Sequence, residues 1–149
     1  MNVYGSLLST PGIIEFNVEY NLLSFELLGL QSITYARAGT SMFGVQGATV
    51  LYSTPVIGFM QYIGNSEGVD FGASYLKHYH TGTDRNKKVP YIYKDIDELI
   101  RLEIGYRNYF SDNSIFRFTL TTFVDFEKLK NNRTSEFDYI ISFSVGYSF

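Results

Sequence analysis

A two-residue period of apolar and polar side chains runs through this chain, and few folds accept it. At the C-terminal end Tyr139, Ile141, Phe143, Val145, Tyr147 and Phe149 share one face, while Asp138, Ser142, Ser144, Gly146 and Ser148 share the other; only Ile140 breaks the pattern. The same alternation joins Phe116, Phe118, Leu120, Thr122, Val124 and Phe126 against Arg117, Thr119, Thr121, Phe123, Asp125 and Glu127. It recurs at 100–107, 14–21 and 69–76. Such a period belongs to a strand with one face toward an apolar medium. Weaker strands are expected at 3–8, near 31–39, and at 50–63, where Pro55 and Gly58 interrupt the pattern. Eight antiparallel strands joined in sequence suit an up-and-down barrel, which removes exposed sheet edges by closing on itself. The one helix-like stretch, 95–99, is too short to stand alone.

Short and long connections are expected to alternate. Gly64-Asn65-Ser66-Glu67-Gly68 and Ser111-Asp112-Asn113-Ser114 carry tight-turn chemistry. Residues 40–49, 80–97 and 128–136 read as longer loops, and 9–12 as a short one. The apolar stretch 21–30 reads as a turn near Leu23-Ser24 followed by an extended third strand. All 149 residues fit one domain.

Alternation alone leaves open which face is inside. Charge narrows the choice: Glu15, Glu19, Arg37, Asp70, Arg101, Glu103, Arg107, Arg117, Asp125, Glu127 and Asp138 all fall on the polar face of strands, where acids and arginines can pair across a narrow lumen. The four mid-strand bases are arginines, whose guanidinium forks suit desolvated pairing. By contrast Lys87, Lys88, Lys94, Lys128 and Lys130 read as loop or strand-end residues, with Lys77 near an end. Tyr20, Tyr62, Tyr79, Tyr106, Tyr109 and Tyr147 fall near strand ends, as an interfacial girdle requires. Together these features favour a transmembrane barrel with lipid outside and paired charges within. The alternative is a soluble lipocalin-like carrier with the Phe and Ile face around an apolar cavity. Against it stands the lack of any Trp, which removes the Gly-x-Trp motif of lipocalins.

A net charge of −3 without a basic cluster argues against nucleic acid as a partner. Zero cysteines exclude disulfides and thiolate metal sites. No apolar run approaches the length of a membrane-spanning helix. The start Met1-Asn2-Val3-Tyr4-Gly5 shows no signal-peptide pattern.

The ending Ile141-Ser142-Phe143-Ser144-Val145-Gly146-Tyr147-Ser148-Phe149 resembles the C-terminal signature of bacterial outer-membrane β-barrels, an alternating strand closing on a terminal Phe. Phe16-Asn17-Val18-Glu19-Tyr20 resembles small barrels of Bacteroidetes type, as does Thr54-Pro55-Val56-Ile57-Gly58 leading to Asp70-Phe71-Gly72-Ala73-Ser74-Tyr75. The resemblance implies an outer-membrane location and lipid as a partner. It also implies recognition of Phe143, Val145, Tyr147 and Phe149 by the barrel assembly machinery. It implies no activity, and the signal peptide that such proteins carry is missing from this sequence.

Candidate chemistry is sparse. Lys77-His78-Tyr79-His80 sets two imidazoles on one face at a strand end, with Asp84 near in sequence. The pair invites a metal or general-base reading, and with it the alternative of a lipid-modifying enzyme, but the sequence supplies no third ligand. A solvated loop-end pair is the reading adopted, with no catalytic residue, no metal and no cofactor expected. The inward charges invite a proton-relay or ion-selective reading; an eight-stranded interior is narrow enough for side chains to fill, and salt-bridged packing is preferred. Asn132-Arg133-Thr134 matches a glycosylation acceptor that a bacterial setting leaves idle. The expected role is structural, or binding of an extracellular ligand through loops at 42–47, 81–97 and 129–135.

Overall fold

The computed structural model describes residues 1–8, 14–46, 49–84, 91–125 and 138–149; of these 8, 41–46, 49–55, 78–84, 91–97, 138 and 139 are described by their backbone. Eight strands follow one another as β1 (Asn2–Leu8), β2 (Ile14–Leu27), β3 (Leu30–Gln46), β4 (Thr49–Gly64), β5 (Glu67–Asp84), β6 (Tyr91–Tyr109), β7 (Ser114–Asp125) and β8 (Asp138–Ser148). Each pairs antiparallel with its sequence neighbours, and β1 pairs with β8 to close the barrel. The expected all-β, eight-stranded up-and-down architecture is the one observed.

Following paired residues once around, from Ser148 through Asn2, Glu19, Arg37, Gly58, Ser74, Arg101 and Phe123, arrives at Asp138. The path returns to β8 ten residues from its start, and that stagger corresponds to strands tilted by roughly 40°. Such a barrel encloses a side-chain-filled lumen, and the pairing of β1 with β8 closes the sheet on itself.

The tight connections and both chain ends lie at one end of the barrel, here the turn end; the opposite end is the loop end. At the turn end Asn65 ties two hairpins together, accepting from Gln31 N at 3.3 Å and donating to Gly29 O at 3.3 Å. In the β6–β7 turn Asp112 Oδ1 accepts from Ser114 Oγ at 2.6 Å and from Ser114 N at 3.0 Å, which holds its carboxyl below the usual aspartate range. Phe149 N donates to Met1 O at 2.8 Å, so the ends of β1 and β8 meet.

Several expectations about boundaries are corrected. The turn placed near Leu23-Ser24 is at Leu28-Gly29, both with positive φ (54° and 80°), the backbone of a two-residue hairpin. Strand β2 therefore runs to Leu27, and a register shift between Asn21 and Leu23 absorbs one extra residue. At the loop end β3 runs to Gln46, β5 to Asp84, and β6 starts at Tyr91. Much of the loops expected at 40–49 and 80–97 is thus strand, as is the helix-like 95–99. Once β5 and β6 are paired, continued ladder bonding from Leu76↔Leu99 to Asp84↔Tyr91 offers those backbone groups partners that a loop or a single helical turn would not. Lys77 and Lys94 consequently fall inside strands. The loops expected at 9–12 and 128–136 lie outside the described residues.

Facing follows the alternation closely. Phe16, Val18, Ile57, Phe59, Phe71, Ile104, Leu120, Phe143 and Val145 are exposed on the outer wall; Glu15, Glu19, Arg37, Asp70, Arg101, Glu103, Arg107 and Arg117 are buried inside. Ile140 is buried, which resolves its break in the pattern. Val124 was expected to face out with Phe118 and Leu120 but is buried; among the described residues the β7–β8 ladder ends one position before it, at Phe123↔Asp138. Tyr62 and Tyr109 are likewise corrected. They share the face of Met60 and Arg107 and enter the lumen, whereas Tyr20, Tyr106 and Tyr147 are exposed as a girdle requires. The Tyr79 side chain lies outside what is described.

Candidate functional site

Charges that sequence places on alternate positions of β2, β3, β5, β6 and β7 meet inside the lumen because one wall of every strand faces inward. Arg107 spans to Glu19 with two bonds, Nη1 to Oε2 at 2.7 Å and Nη2 to Oε1 at 3.1 Å, and turns its Nε to Asp70 Oδ2 at 2.7 Å. Arg117 grips the same Asp70 through Nε at 2.7 Å and Nη2 at 2.9 Å. Its Nη1 lies 3.8 Å from Glu103 Oε1. Glu103 also pairs with Arg37, whose Nη2 reaches Glu15 at 3.1 Å. Arg101 Nη1 completes the run on Glu15 at 2.6 Å, with its Nε 3.6 Å from Glu103. Four guanidinium and four carboxylate groups thus form one continuous, charge-neutral network. Burying ions this deeply is tolerable only when the forks are filled, and here most of them are.

Toward the turn end the network rests on aromatic rings. Tyr35, Met60 and Tyr62 pack with Ile33 and Tyr109. The Arg107 guanidinium carbon lies 5.4 Å from the Tyr35 ring centre, 5.8 Å from Tyr62 and 5.9 Å from Tyr109. Tyr4 OH donates to Glu19 Oε1 at 2.6 Å, and its ring backs Arg37 and Arg117. Glycines make room for these groups. A Cβ on Gly105 would come within 2.9 Å of Asp70 Oδ1 and 2.6 Å of Phe118 O, and one on Gly72 would strike Met60 Sδ. On the β5–β7 wall, Ser74 Oγ, Thr119 Oγ1, Thr121 Oγ1 and the Nε and Nη2 of Arg101 are buried without a hydrogen-bond partner.

Eight of the eleven charged residues singled out in the sequence are therefore joined by ion pairs, and Glu127 lies outside the described residues. Asp125 is half-buried at the end of β7, and the Asp138 side chain lies outside what is described. Phe143, Val145, Tyr147 and Phe149 are exposed on the outer wall. The loop residues 42–46, 81–84 and 91–97 are strand, and 129–135 lie outside the described residues.

The backbone gives His78 and His80 neighbours that the sequence reading missed. Register sets His78 opposite Asp97 and His80 opposite Asp95 on β6, and Ser53 opposite His78 on β4. Treating 80–97 as loop hid these pairs. The signal that finds them is the alternation of Ile92, Lys94 and Ile96 with Tyr93, Asp95 and Asp97, which carries the β6 period upstream.

The fold and its interior define a closed eight-stranded antiparallel barrel with an ion-paired lumen. The chain is similar in fold to the N-terminal β-barrel domain of Pseudomonas aeruginosa OprF, with a TM-score of 0.67 at 10% identity over 99% of this chain and 94% of that one. The outer membrane enzyme PagL aligns over 99% of this chain and 97% of its own with a TM-score of 0.47 at 16% identity. No protein-family model matches the sequence, and no curated protein matches it.

Proposed function

We propose that the chain is a small outer-membrane β-barrel protein whose role is structural or surface-binding, without catalysis. The observation that carries the reading is the inversion of the usual interior: Arg107, Glu19 and Asp70 are 0% exposed, while Ile104 is 55%, Phe59 62% and Val145 66% exposed. Among the described residues, exposed apolar side chains on all eight strands far exceed the patches that water-facing proteins carry, and lipid is the solvent that removes their cost. A lipocalin-like carrier needs an apolar cavity, and this interior is filled by ions and tyrosines.

In this reading the turn end and the chain ends face the periplasm, and the long strands β3 to β6 raise the loop end above the outer leaflet, where an extracellular ligand would dock. Strands of 16 to 19 residues exceed the roughly 9–11 that a bilayer needs. The network leaves little path for ions, so a porin-like conducting role is not part of the proposal. The terminal strand, with Phe143, Val145, Tyr147 and Phe149 on its outer face, is assigned to recognition by the assembly machinery. Kinship with Bacteroidetes-type barrels rests on the sequence stretches around Phe16 and Thr54. Expression behind an outer-membrane leader in a Gram-negative host tests the reading: heat-modifiable protein in the outer-membrane fraction, reduced several-fold by Phe149→Ala, is expected. Accumulation as a folded periplasmic protein would overturn it.

One observation favours a second reading as a lipid-modifying enzyme: Ser53, His78 and Asp97 lie in one row across β4, β5 and β6, the residue types of a nucleophile, its base and an orienting acid. Ser53→Ala with an assay of phospholipid and lipid A turnover tests it. Turnover by the parent barrel, lost in the variant, would replace the non-catalytic reading.

A further inference from the structure

We infer that the open edge of the β2–β3 hairpin, along Tyr20–Leu27, takes up an extended strand from a periplasmic protein partner. The compartment rests on the outer-membrane reading; the open edge follows from register. β1 pairs with β2 from Asn2↔Glu19 to Leu7↔Ile14, while β2 continues on β3 as far as Leu27↔Leu30. Among the described residues no strand pairs with the β1 side of β2 beyond Glu19. Alternate residues of an antiparallel strand turn their N–H and C=O to each side, so about four residues here aim both groups at solvent. Every residue from Tyr20 to Gln31 is exposed.

On its other side the hairpin is braced. β3 pairs with β4 down to Gln31↔Gly64, and Asn65 bonds both Gln31 N and Gly29 O. On the outer face Gln61 bonds Ser32 at 2.8 Å and Thr34 at 2.6 Å. An edge held this way loses little freedom when a strand is added. Beyond the register shift at Asn21/Leu23, Leu23–Leu27 run in unbroken pairing with β3, and they carry no Lys or Pro of the kind that deters edge pairing.

Position and side chains select the occupant. Tyr20 belongs to the exposed girdle with Tyr106 and Tyr147, and Leu27 stands seven residues further out, roughly 18 Å along the barrel axis at this tilt. Leu23, Phe25, Leu27 and Leu30 on the outer face are thus 43–57% exposed past the lipid boundary. A second copy does not fit in the membrane: antiparallel self-pairing sets its two-fold axis across the barrel wall and turns one barrel upside down. The fitting partner is a separate extended segment, apolar at the alternate positions beside Leu23, Phe25 and Leu27, polar between them, and basic opposite Glu26.

The probe is a labelled peptide, Thr-Val-Lys-Val-Thr-Val-Thr, with a twin of the same side chains whose alternate backbone nitrogens are methylated. In the refolded full chain in detergent, alternate amides along Tyr20–Leu27 are expected to exchange fast, and to slow about tenfold or more with saturating peptide. The methylated twin is expected to bind about tenfold or more weakly, having lost its backbone donors. Glu26→Lys is expected to weaken the peptide by roughly threefold. Heat-modifiable migration of the same samples reports the outer-membrane reading independently of peptide binding. Edge amides already protected in the free monomer, absence of saturable peptide binding, equal binding of the two peptides, or concentration-dependent dimers that compete with the peptide would overturn the inference.

Discussion

Glu19 and Arg107 stand 88 positions apart in sequence and meet inside the lumen through two parallel bonds of 2.7 and 3.1 Å, with neither side chain exposed. Glu19 reaches the lumen because β2 alternates; Arg107 does so because β6 alternates in the same chain direction, four strands around the barrel. Removing one partner leaves a charge stranded in a dry interior. Glu19→Ala is expected to destabilise the folded barrel by about 3–5 kcal/mol, measured by urea unfolding in lipid vesicles. Glu19→Leu combined with Arg107→Met is expected to recover most of that loss, since Asp70 keeps its two bonds from Arg117. A double variant as unstable as the sum of both singles would contradict the pairing.

The glycines on the inner wall act as space for the network. Gly105→Ala drives a Cβ against Phe118 O and Asp70 Oδ1 and is expected to cost about 1–3 kcal/mol. Gly5→Ala, whose added carbon meets nothing closer than 3.9 Å, is expected to stay within about 0.5 kcal/mol of the parent. The contrast is read by the same unfolding measurement.

At the turn end Leu28 holds a φ of 54° although it is 96% exposed and contributes no packing. Leu28→Asn makes the Asn-Gly pair that a turn with two positive φ values prefers, and is expected to stabilise the barrel by about 1 kcal/mol. Loss of stability in that variant would show that Leu28 is held by a contact beyond the turn.

The outer wall predicts a dependence on depth. Ile104, about six residues above the β6–β7 turn, falls near the middle of an apolar band roughly 25 Å tall. Ile104→Arg is expected to cost about 2–4 kcal/mol in a bilayer, and Val69→Arg, two residues from the start of β5, about 0–1. Equal costs at the two heights would argue against a membrane-spanning wall.

Much of the barrel is legible in the sequence because a two-residue period survives wherever one wall faces ions and the other apolar solvent, as in β2, β7 and β8. It fades where the inner wall is itself apolar, as at Val56 and Met60 in β4, or aromatic, as at Tyr62 and Tyr109. That is why those tyrosines looked like girdle residues. The charges of the network could be named from their parity, but their partners could not: Arg107 with Glu19 depends on the stagger of all eight strands, which no local pattern encodes. The Leu28-Gly29 turn was missed because leucine at positive φ contradicts ordinary turn chemistry. Asp95 and Asp97 were missed because charged residues clustered near 85–98 read as loop, although the pairing of β5 with β6 extends through them.

In the proposed function lipid covers the outer wall while ions fill the inside. The cysteine-free chain accepts a single nitroxide label at Ile104→Cys, refolded into phosphatidylcholine vesicles and compared for collision with oxygen and with a water-soluble nickel chelate. Frequent oxygen collision, little chelate contact, and a folded form that shifts in electrophoresis on boiling are expected. A label open to the chelate, on a chain that folds as readily in plain buffer, would contradict the proposal.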